Sequence, residues 1–277
     1  TSEYPLIIQI FGKDPAMFAE AAKIIEGYGI TGIDINMWCP AKKVVKSGHG
    51  SSLMINRDTA FKIVEEMAKA VKIPVSVKTR LGWEDHSLLI EFVQWLENAW
   101  ASLISVHGRT YKQAFTGKAD LTGIYDLKQH VGIPVIANGD ILSYEDGIKK
   151  MIHPEGLKNL DGFMIGRASF GNPWCFLPGN YEPILWEILD TMQEHGDLLW
   201  KCKERKGMME ARKHLVQYLH GFPWVKEYRN ALVHVESPED ITKILDLIRS
   251  EHAPLLTQRI SSYNADSQMT TWDCGID

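Results

Sequence analysis

The sequence is poor in cysteine, in long apolar stretches and in excess charge of either sign. Four cysteines occur among 277 residues, and none has the C-x-x-C spacing of zinc sites and redox motifs. We therefore expect no metal site, no disulfide framework and a reducing, cytoplasmic compartment. No run of 18 apolar residues is present, so the predicted fold has no membrane-spanning helix.

The charge balance is close to neutral. A net charge of -5 at pH 7 argues against a protein that coats nucleic acid by bulk charge, although it leaves room for a local basic groove. Hydrophobic residues make up 45% and charged residues 23%, which is ordinary for a globular chain with a large core. The length predicts one large domain and a smaller one.

Six short runs rich in Val and Ile end in polar residues and are followed by helical patterns. The runs are Leu6–Gln9, Gly32–Asn36, Val75–Lys78, Leu103–His107, Val135–Asn138 and Gly162–Gly166. Successive runs lie about 30 residues apart, the length of one βαβ unit. Alternating strands and helices predict parallel strands joined by crossovers, so we expect an α/β fold of the TIM (β/α)8-barrel type.

The alternation of predicted strands and helices ends near residue 176. A segment with Pro178, Gly179 and Pro183 indicates a linker. Beyond it, residues 184–195, 198–218, 225–233 and 238–250 have helical patterns without strands. We predict a β/α barrel over residues 1–178, an all-α domain over 183–252 and a tail over 253–277.

Polar side chains gather at the ends of the predicted strands, where a β/α barrel places its active site. They are Gln9, Asn36, Cys39, Lys78, Arg80, His107, Arg109, Asn138, Asp140 and Arg167, and Gly139 and Gly166 adjoin the last of these. Each has an ordinary structural explanation: Cys39 as a small buried hydrophobe, Gln9 or Asn138-Gly139 as turn residues, Lys78 as an exposed charge. Together they favour a functional site.

The last two strand ends suit a phosphate group. Asn138-Gly139-Asp140 and Gly166-Arg167 follow the final two strands, where barrels often bind phosphate through glycine N–H groups and a cation. Arg167 would grip the phosphate. Gln9 carries a donor and an acceptor for a flavin ring edge, and Lys78 could place positive charge beside the reduced flavin.

The ordered set of motifs resembles the tRNA-dihydrouridine synthases. The motifs are Asn-Met-Trp-Cys-Pro-Ala at 36–41, Gly-His-Gly-Ser-Ser-Leu-Met at 48–54, Val-Lys-Thr-Arg-Leu-Gly at 77–82, Val-His-Gly-Arg-Thr at 106–110, Ala-Asn-Gly-Asp-Ile at 137–141 and Met-Ile-Gly-Arg-Ala at 164–168. The resemblance covers about Pro5 to Trp174. The helical segment resembles that family's tRNA-recognition domain.

The resemblance implies an FMN enzyme that reduces uridines in tRNA to 5,6-dihydrouridine, with NADPH as electron donor. It implies hydride transfer from flavin N5 to uracil C6 and proton donation from the Cys39 thiol to C5. FMN would be held by Gln9, Lys78, His107, Asn138, Gly139, Asp140, Gly166 and Arg167. The uracil or nearby RNA would face Asn36, Lys42, Lys43, Arg80, Arg109 and Lys112.

The sequence departs from that family at three places. The family's first two strands, with a Pro-Met-Ala-Gly-like flavin-binding turn, have no counterpart, so we expect a barrel that lacks them and a natural N-terminus upstream of Thr1. Trp38 stands where the family usually has Gly, beside the proposed acid, and its indole could stack on the ring or block it. Trp100 stands where a small residue is usual.

Two other functions remain open. Another FMN-barrel reductase acting on a free small molecule would need neither the helical domain nor its basic cluster between Lys201 and Lys213. A tRNA-binding protein with impaired catalysis would explain Trp38 and the missing strands. A purely structural protein would not explain the polar strand ends.

Overall fold

A computed structural model describes residues 4–259. Six strands form one parallel sheet in the order β1-β2-β3-β4-β5-β6. They are β1 Ile7–Ile10, β2 Gly32–Asn36, β3 Val75–Arg80, β4 Leu103–His107, β5 Val135–Asn138 and β6 Gly162–Met164. The predicted architecture, a parallel β/α sheet followed by a helical region, is confirmed.

Nine α-helices occur in the described part of the chain. They are α1 Pro15–Glu26, α2 Lys42–Lys46, α3 Arg57–Ala70, α4 Leu89–Asn98, α5 Thr122–His130, α6 Tyr144–Met151, α7 Leu185–Tyr218, α8 Val225–Leu232 and α9 Pro238–Glu251. Short 3-10 helices cover Gly50–Met54, Arg167–Ser169, Pro173–Phe176 and Ala253–Leu255. No helix within residues 4–259 is long and apolar enough to cross a membrane.

The contacts divide the chain into two compact units. Among residues 4–259, the sheet unit contains residues 4–141 and Asp146–Met164, and the helical unit contains Leu142–Glu145 and residues 165–259. The predicted tail begins within the helical unit, where Ala253–Leu255 is helical and Arg259 pairs with Ile184. Its residues 260–277, with Cys274, lie outside the described residues.

Local chemistry explains how the sheet unit positions its strands. Asp14 caps α1 by accepting from the N–H groups of Ala16 and Met17. Glu26, at the end of α1, accepts from two N–H groups of the loop before β3, and Glu97 on α4 does the same for the loop before β5. These carboxylates hold alternate strands in register with the helix layer, while buried Ile and Val side chains fill the space between.

The helical unit contains a sharp reversal that the sequence pattern did not predict. Residues 184–195 and 198–218 were predicted as separate helices, and the structure corrects this: the chain stays helical through Gly196 and reverses at Glu204, at φ 49° and ψ -132°. A side chain on Gly196 would meet Ile241, so this glycine permits close packing and does not end the helix. The two arms of α7, residues 185–203 and 205–218, lie antiparallel, and Gly207 packs against the Leu199 carbonyl.

The strand limits differ from prediction for three of the six strands. β1 covers Ile7–Ile10, one residue later than predicted. β3 continues two residues beyond Lys78 to Arg80, because Lys78 and Arg80 are buried and paired with neighbouring strands. β6 stops at Met164, so Gly166 belongs to the following loop. Cysteines 39, 175 and 202 are free thiols.

Candidate active site

The strand register brings the predicted polar residues to one edge of the sheet unit. Asn36 pairs with Lys78, Arg80 with His107, and His107 with Asn138. Since all strands are parallel, these residues mark the carboxyl ends of β2 to β5. This is the edge at which β/α folds place catalytic side chains.

A chain of hydrogen bonds runs from the strand interior toward the cysteine. Asp34 accepts from Gln9 Nε2 at 2.6 Å and from Ser76 Oγ at 2.6 Å. Gln9 Oε1 in turn accepts from Asn36 Nδ2 at 3.0 Å. Burial raises the pKa of Asp34, although these hydrogen bonds oppose the rise. Both polar atoms of the Gln9 amide are thus engaged within the protein.

Asn36 fixes the backbone that carries Cys39. Its Oδ1 accepts from the N–H of Trp38 at 3.2 Å and of Cys39 at 3.1 Å. The Cys39 carbonyl accepts from the N–H of Ser51 at 3.1 Å. Gly50, at φ +58°, lies so close that an added Cβ would stand 2.9 Å from the Cys39 carbonyl oxygen. The half-buried thiol is therefore held on a rigid turn at the end of β2.

Two arginines are buried behind this turn. Arg80 donates from Nε to the Trp38 carbonyl at 2.8 Å and from Nη1 to the carbonyls of Thr110 and Ala114 at 3.0 and 2.7 Å. Burial, with Arg109 nearby, lowers the pKa of Arg80 to about 10, so it stays charged at neutral pH. Within residues 4–259 its Nη2 has no hydrogen-bond partner, which leaves one donor for a ligand.

Arg109 holds the loop that follows β4. Its Nη2 donates to Asp140 Oδ2 at 2.7 Å and to the Gly117 carbonyl at 2.7 Å. Asp140 Oδ2 also accepts from the N–H of Ala119 at 2.8 Å. This ion pair joins the ends of β4 and β5. Arg109, which was predicted to face RNA, and Asp140, which was predicted to bind flavin, therefore contact each other.

Lys78 and Trp38 form the most unusual contact of the site. The Lys78 ammonium lies 3.6 Å from the centroid of the Trp38 ring, a cation–π geometry. Burial, with Arg80 nearby, lowers the pKa of Lys78 to about 7. Among the described residues, neither Lys78 Nζ nor Trp38 Nε1 has a hydrogen-bond partner.

His107 lies beside Lys78 and Trp38 as a neutral imidazole. Burial and the neighbouring cations lower its pKa to about 3, although a hydrogen bond to Asn138 opposes this. Its Nδ1 and Asn138 Oδ1 are 2.8 Å apart, and Asn138 Nδ2 donates to the Met164 carbonyl at 2.9 Å. Gly139, at φ +116°, packs against Ala119 and Gly108, so a side chain there would clash.

The remaining predicted residues lie elsewhere. Lys42 and Lys43 are exposed on α2, and Lys112 forms a 2.5 Å ion pair with Glu84. Gly166 and Arg167 belong to the helical unit, where the Gly166 carbonyl accepts from Ser169 Oγ at 2.9 Å. The sheet unit therefore brings together the predicted residues of β1 to β5, whereas the three lysines lie on its surface.

Sequence reasoning missed Asp34, Ser76 and the position of the Trp38 ring. Asp34 could have been found, because a carboxylate in the middle of an apolar strand needs partners. The Trp38 contact could not, since no pattern reports a side chain's direction. Within residues 4–259 no group of three or more His, Cys, Asp or Glu could hold a metal ion.

A parallel β/α sheet with buried polar groups at its carboxyl edge, followed by a helical region, defines a protein of the β/α-barrel class. The model of the dihydrouridine synthase family matches residues 1–253. The chain therefore belongs to the dihydrouridine synthase family.

Proteins similar to this chain are named as probable tRNA-dihydrouridine synthases. "Probable tRNA-dihydrouridine synthase 1" of Synechocystis sp. is 40% identical over 88% of this chain and 70% of its own length. Proteins with that name, without the numeral, are 39% identical in Rickettsia conorii and 36% in Mycobacterium leprae, covering 83% and 88% of this chain and 72% and 67% of the relatives. A dihydrodipicolinate synthase structure from Aquifex aeolicus is 13% identical at a TM-score of 0.39, covering 90% of this chain and 98% of that one, and this weak likeness adds nothing to the assignment.

Proposed function

We propose that this chain reduces specific uridines in tRNA to 5,6-dihydrouridine, with FMN as cofactor and NADPH as electron donor, in the cytoplasm. The observation that carries the proposal is the convergence of the Cys39 turn and the Lys78 ammonium at one carboxyl edge of the sheet. The names of the relatives supply the substrate class.

The residues of the sheet unit fit a flavin. Lys78 Nζ is a buried donor without a hydrogen-bond partner in the described part of the chain, and a flavin ring presents acceptors along its pyrimidine edge. Asn138, Gly139 and Asp140 would lie beside it, with His107 as a neutral neighbour. Gly166 and Arg167 of the helical unit are proposed for the phosphate, and Gln9 holds the turn. When bound, FMN supplies the hydride.

The chain's own contribution is to position the acid. Asn36 and Gly50 hold the Cys39 backbone, and the thiol donates its proton to C5 of the uracil ring as negative charge develops there. Arg80 offers its Nη2 hydrogen atoms to a substrate oxygen. Solvent then returns a proton to the cysteine. A fixed acid of this kind contributes roughly 10²- to 10⁴-fold to the rate.

A uridine within a folded tRNA must leave its stack to reach this edge, which requires cations along the path. Lys42, Lys43 and Lys46 are exposed on α2 directly after the Cys39 turn. The helical unit adds exposed cations near the reversal of α7: Lys201, Lys203, Arg205 and Lys206. We propose that these residues contact tRNA phosphates.

The test compares the parent with Cys39→Ala and Cys202→Ala. Cys202 is an exposed cysteine on α7, so it serves as the matched control. We expect all three proteins to bind FMN and tRNA, and Cys39→Ala alone to lose dihydrouridine formation by at least about 100-fold. Turnover by Cys39→Ala at the parent rate would remove the acid assignment.

A second function is favoured by the Trp38 indole on Lys78. If that ring excluded flavin permanently, the chain would bind tRNA without reducing it. A purified protein without flavin absorbance, unable to take up FMN but still able to bind tRNA, would establish this alternative. A reductase for free small molecules would instead turn over without tRNA.

A further inference from the structure

The Trp38 indole lies against the buried ammonium of Lys78. Its ring centroid lies 3.6 Å from Lys78 Nζ and 6.2 Å from the His107 ring centroid, to which it is tilted by 30°. The Arg80 guanidinium carbon is 5.7 Å from the same ring. The indole is thus surrounded by the groups that the proposed function assigns to flavin and substrate.

The backbone of Trp38 is fixed, so only its side chain can move. Its N–H donates to Asn36 Oδ1, and its carbonyl accepts from Arg80 Nε at 2.8 Å. These bonds also hold the turn of Cys39. Rotation of the indole about its side-chain bonds would uncover Lys78 and leave the cysteine in place.

The indole and the proposed flavin both use the Lys78 ammonium. The indole covers one side of Nζ at 3.6 Å, so the pyrimidine edge of a flavin that approached from that side would meet the indole. Resting on the proposed function, we propose that Trp38 sets the affinity of this pocket for FMN, because its indole is an internal ligand of Lys78 that the flavin displaces.

The buried position of the indole is poorly satisfied, which makes displacement feasible. Within the described residues its Nε1–H has no acceptor, and a buried donor without a partner is unfavourable. Rotation outward would give that N–H to water, at the loss of the cation–π contact. The two effects oppose each other, so Trp38 weakens FMN binding moderately and does not abolish it.

The experiment is an equilibrium titration of FMN into the parent, Trp38→Gly, Trp38→Phe and Trp100→Gly, followed by the quenching of flavin fluorescence. Trp100 is an exposed indole that also faces a lysine, Lys69, at 5.6 Å, so it is the matched control. We expect the Kd of Trp38→Gly to be about tenfold lower than the parent's, which is the effect of a desolvated cation–π contact reduced by the opposing gain from hydrating the indole N–H. Trp38→Phe should lie between them and Trp100→Gly should equal the parent.

A second readout follows the indole itself. In protein labelled with 5-fluorotryptophan, the resonance missing from Trp38→Phe identifies Trp38. We expect FMN to shift this resonance and to leave that of Trp100 unchanged. The Phe variant keeps a ring in place, so it also guards against misfolding of Trp38→Gly.

The outcomes separate this inference from the function on which it rests. If the parent binds FMN and Trp38→Gly binds it equally or more weakly, Trp38 is no competitor, although the proposed cofactor stands. If no variant binds FMN, the proposed cofactor fails and the inference fails with it. An unshifted Trp38 resonance in the FMN complex would also overturn the displacement.

Discussion

The two units of this chain treat their charged residues in opposite ways. Every buried polar or charged residue among residues 4–259 lies in the sheet unit, including Lys78, Arg80 and Arg109 at 5%, 0% and 1% exposure. The core of the helical unit is apolar apart from two tyrosine hydroxyls, and its cations near Glu204 face solvent. Burying charge costs stability unless every group is paired, so the sheet unit keeps an arrangement that folding alone does not favour.

The largest expected effect comes from breaking the buried ion pair. Arg109→Leu leaves the Asp140 carboxylate without its 2.7 Å cation partner and should lower the free energy of unfolding by about 3–5 kcal/mol. Arg205→Leu is the matched change in the helical unit, where Arg205 is exposed and 3.7 Å from Glu236; it should change stability by less than about 0.5 kcal/mol. Chemical denaturation measures both, and equal losses would contradict the comparison.

The next effect is a gain in stability that depends on pH. Because the pKa of Lys78 falls from 10.5 to about 7 on folding, the unfolded chain binds more protons between these values, and parent stability rises with pH across that window. Lys78→Met removes the buried amine. It should be more stable than the parent by on the order of 3 kcal/mol at pH 6, with a smaller difference at pH 10.

Denaturant unfolding without flavin at both pH values checks this prediction. A difference that grows with pH would show that the ammonium is stabilised by its surroundings. An exposed lysine gives the control: Lys243→Met on α9 removes only a surface ion pair with Asp240 and should change the free energy of unfolding by less than about 0.5 kcal/mol.

A smaller effect is expected at the reversal of α7. Glu204 has φ 49° and ψ -132°, a region that favours glycine. Glu204→Gly should therefore raise stability by about 1 kcal/mol, measured as a higher Tm. Glu194→Gly, at an exposed position in the helical arm 185–203, should lower it by about 1 kcal/mol. Equal signs for the two changes would argue against backbone strain at Glu204.

The smallest effect on stability comes from the exposed cations. Lys203→Gln removes a surface ion pair with Glu210 and should change the free energy of unfolding by less than about 0.5 kcal/mol. Under the proposed function it should still weaken tRNA binding severalfold and reduce the salt dependence of the Kd. Lys243→Gln serves as its control, and equal tRNA affinities for the two variants would remove Lys203 from the contact surface.

Much of the sheet could be predicted because each strand is a recognisable run of apolar residues. Strands β2, β4 and β5 have the bounds read from their Val and Ile runs, since a buried parallel strand must be apolar along its length. The reversal at Glu204 could not be predicted. Glycine has a lower helix propensity than glutamate, so the sequence favours a helix end at Gly196 over one at Glu204. Only the packing of Gly196 against Ile241 explains why the helix continues through it.

The candidate site could be predicted as a set of residues but not as a network. Position at a strand end identifies Asn36, Lys78 and His107, because the carboxyl ends of parallel strands meet at one edge. The partners of these residues depend on rotamers and loop paths. The hydrogen bonds of both Gln9 amide atoms and the cation–π contact of Trp38 therefore could not be predicted from the sequence.

The reversal of α7 also has a consequence for the order in which the chain folds. Leu199 and Gly207 meet across a turn of a few residues, so the helical hairpin closes over a short loop. The sheet must instead join Gln9 to Asp34 and Asn36 to Lys78, pairs that are 25 and 42 residues apart. Local contacts form faster than distant ones. The helical hairpin is synthesised after the sheet strands. It nevertheless forms faster than the strand pairs at the edge that carries Cys39.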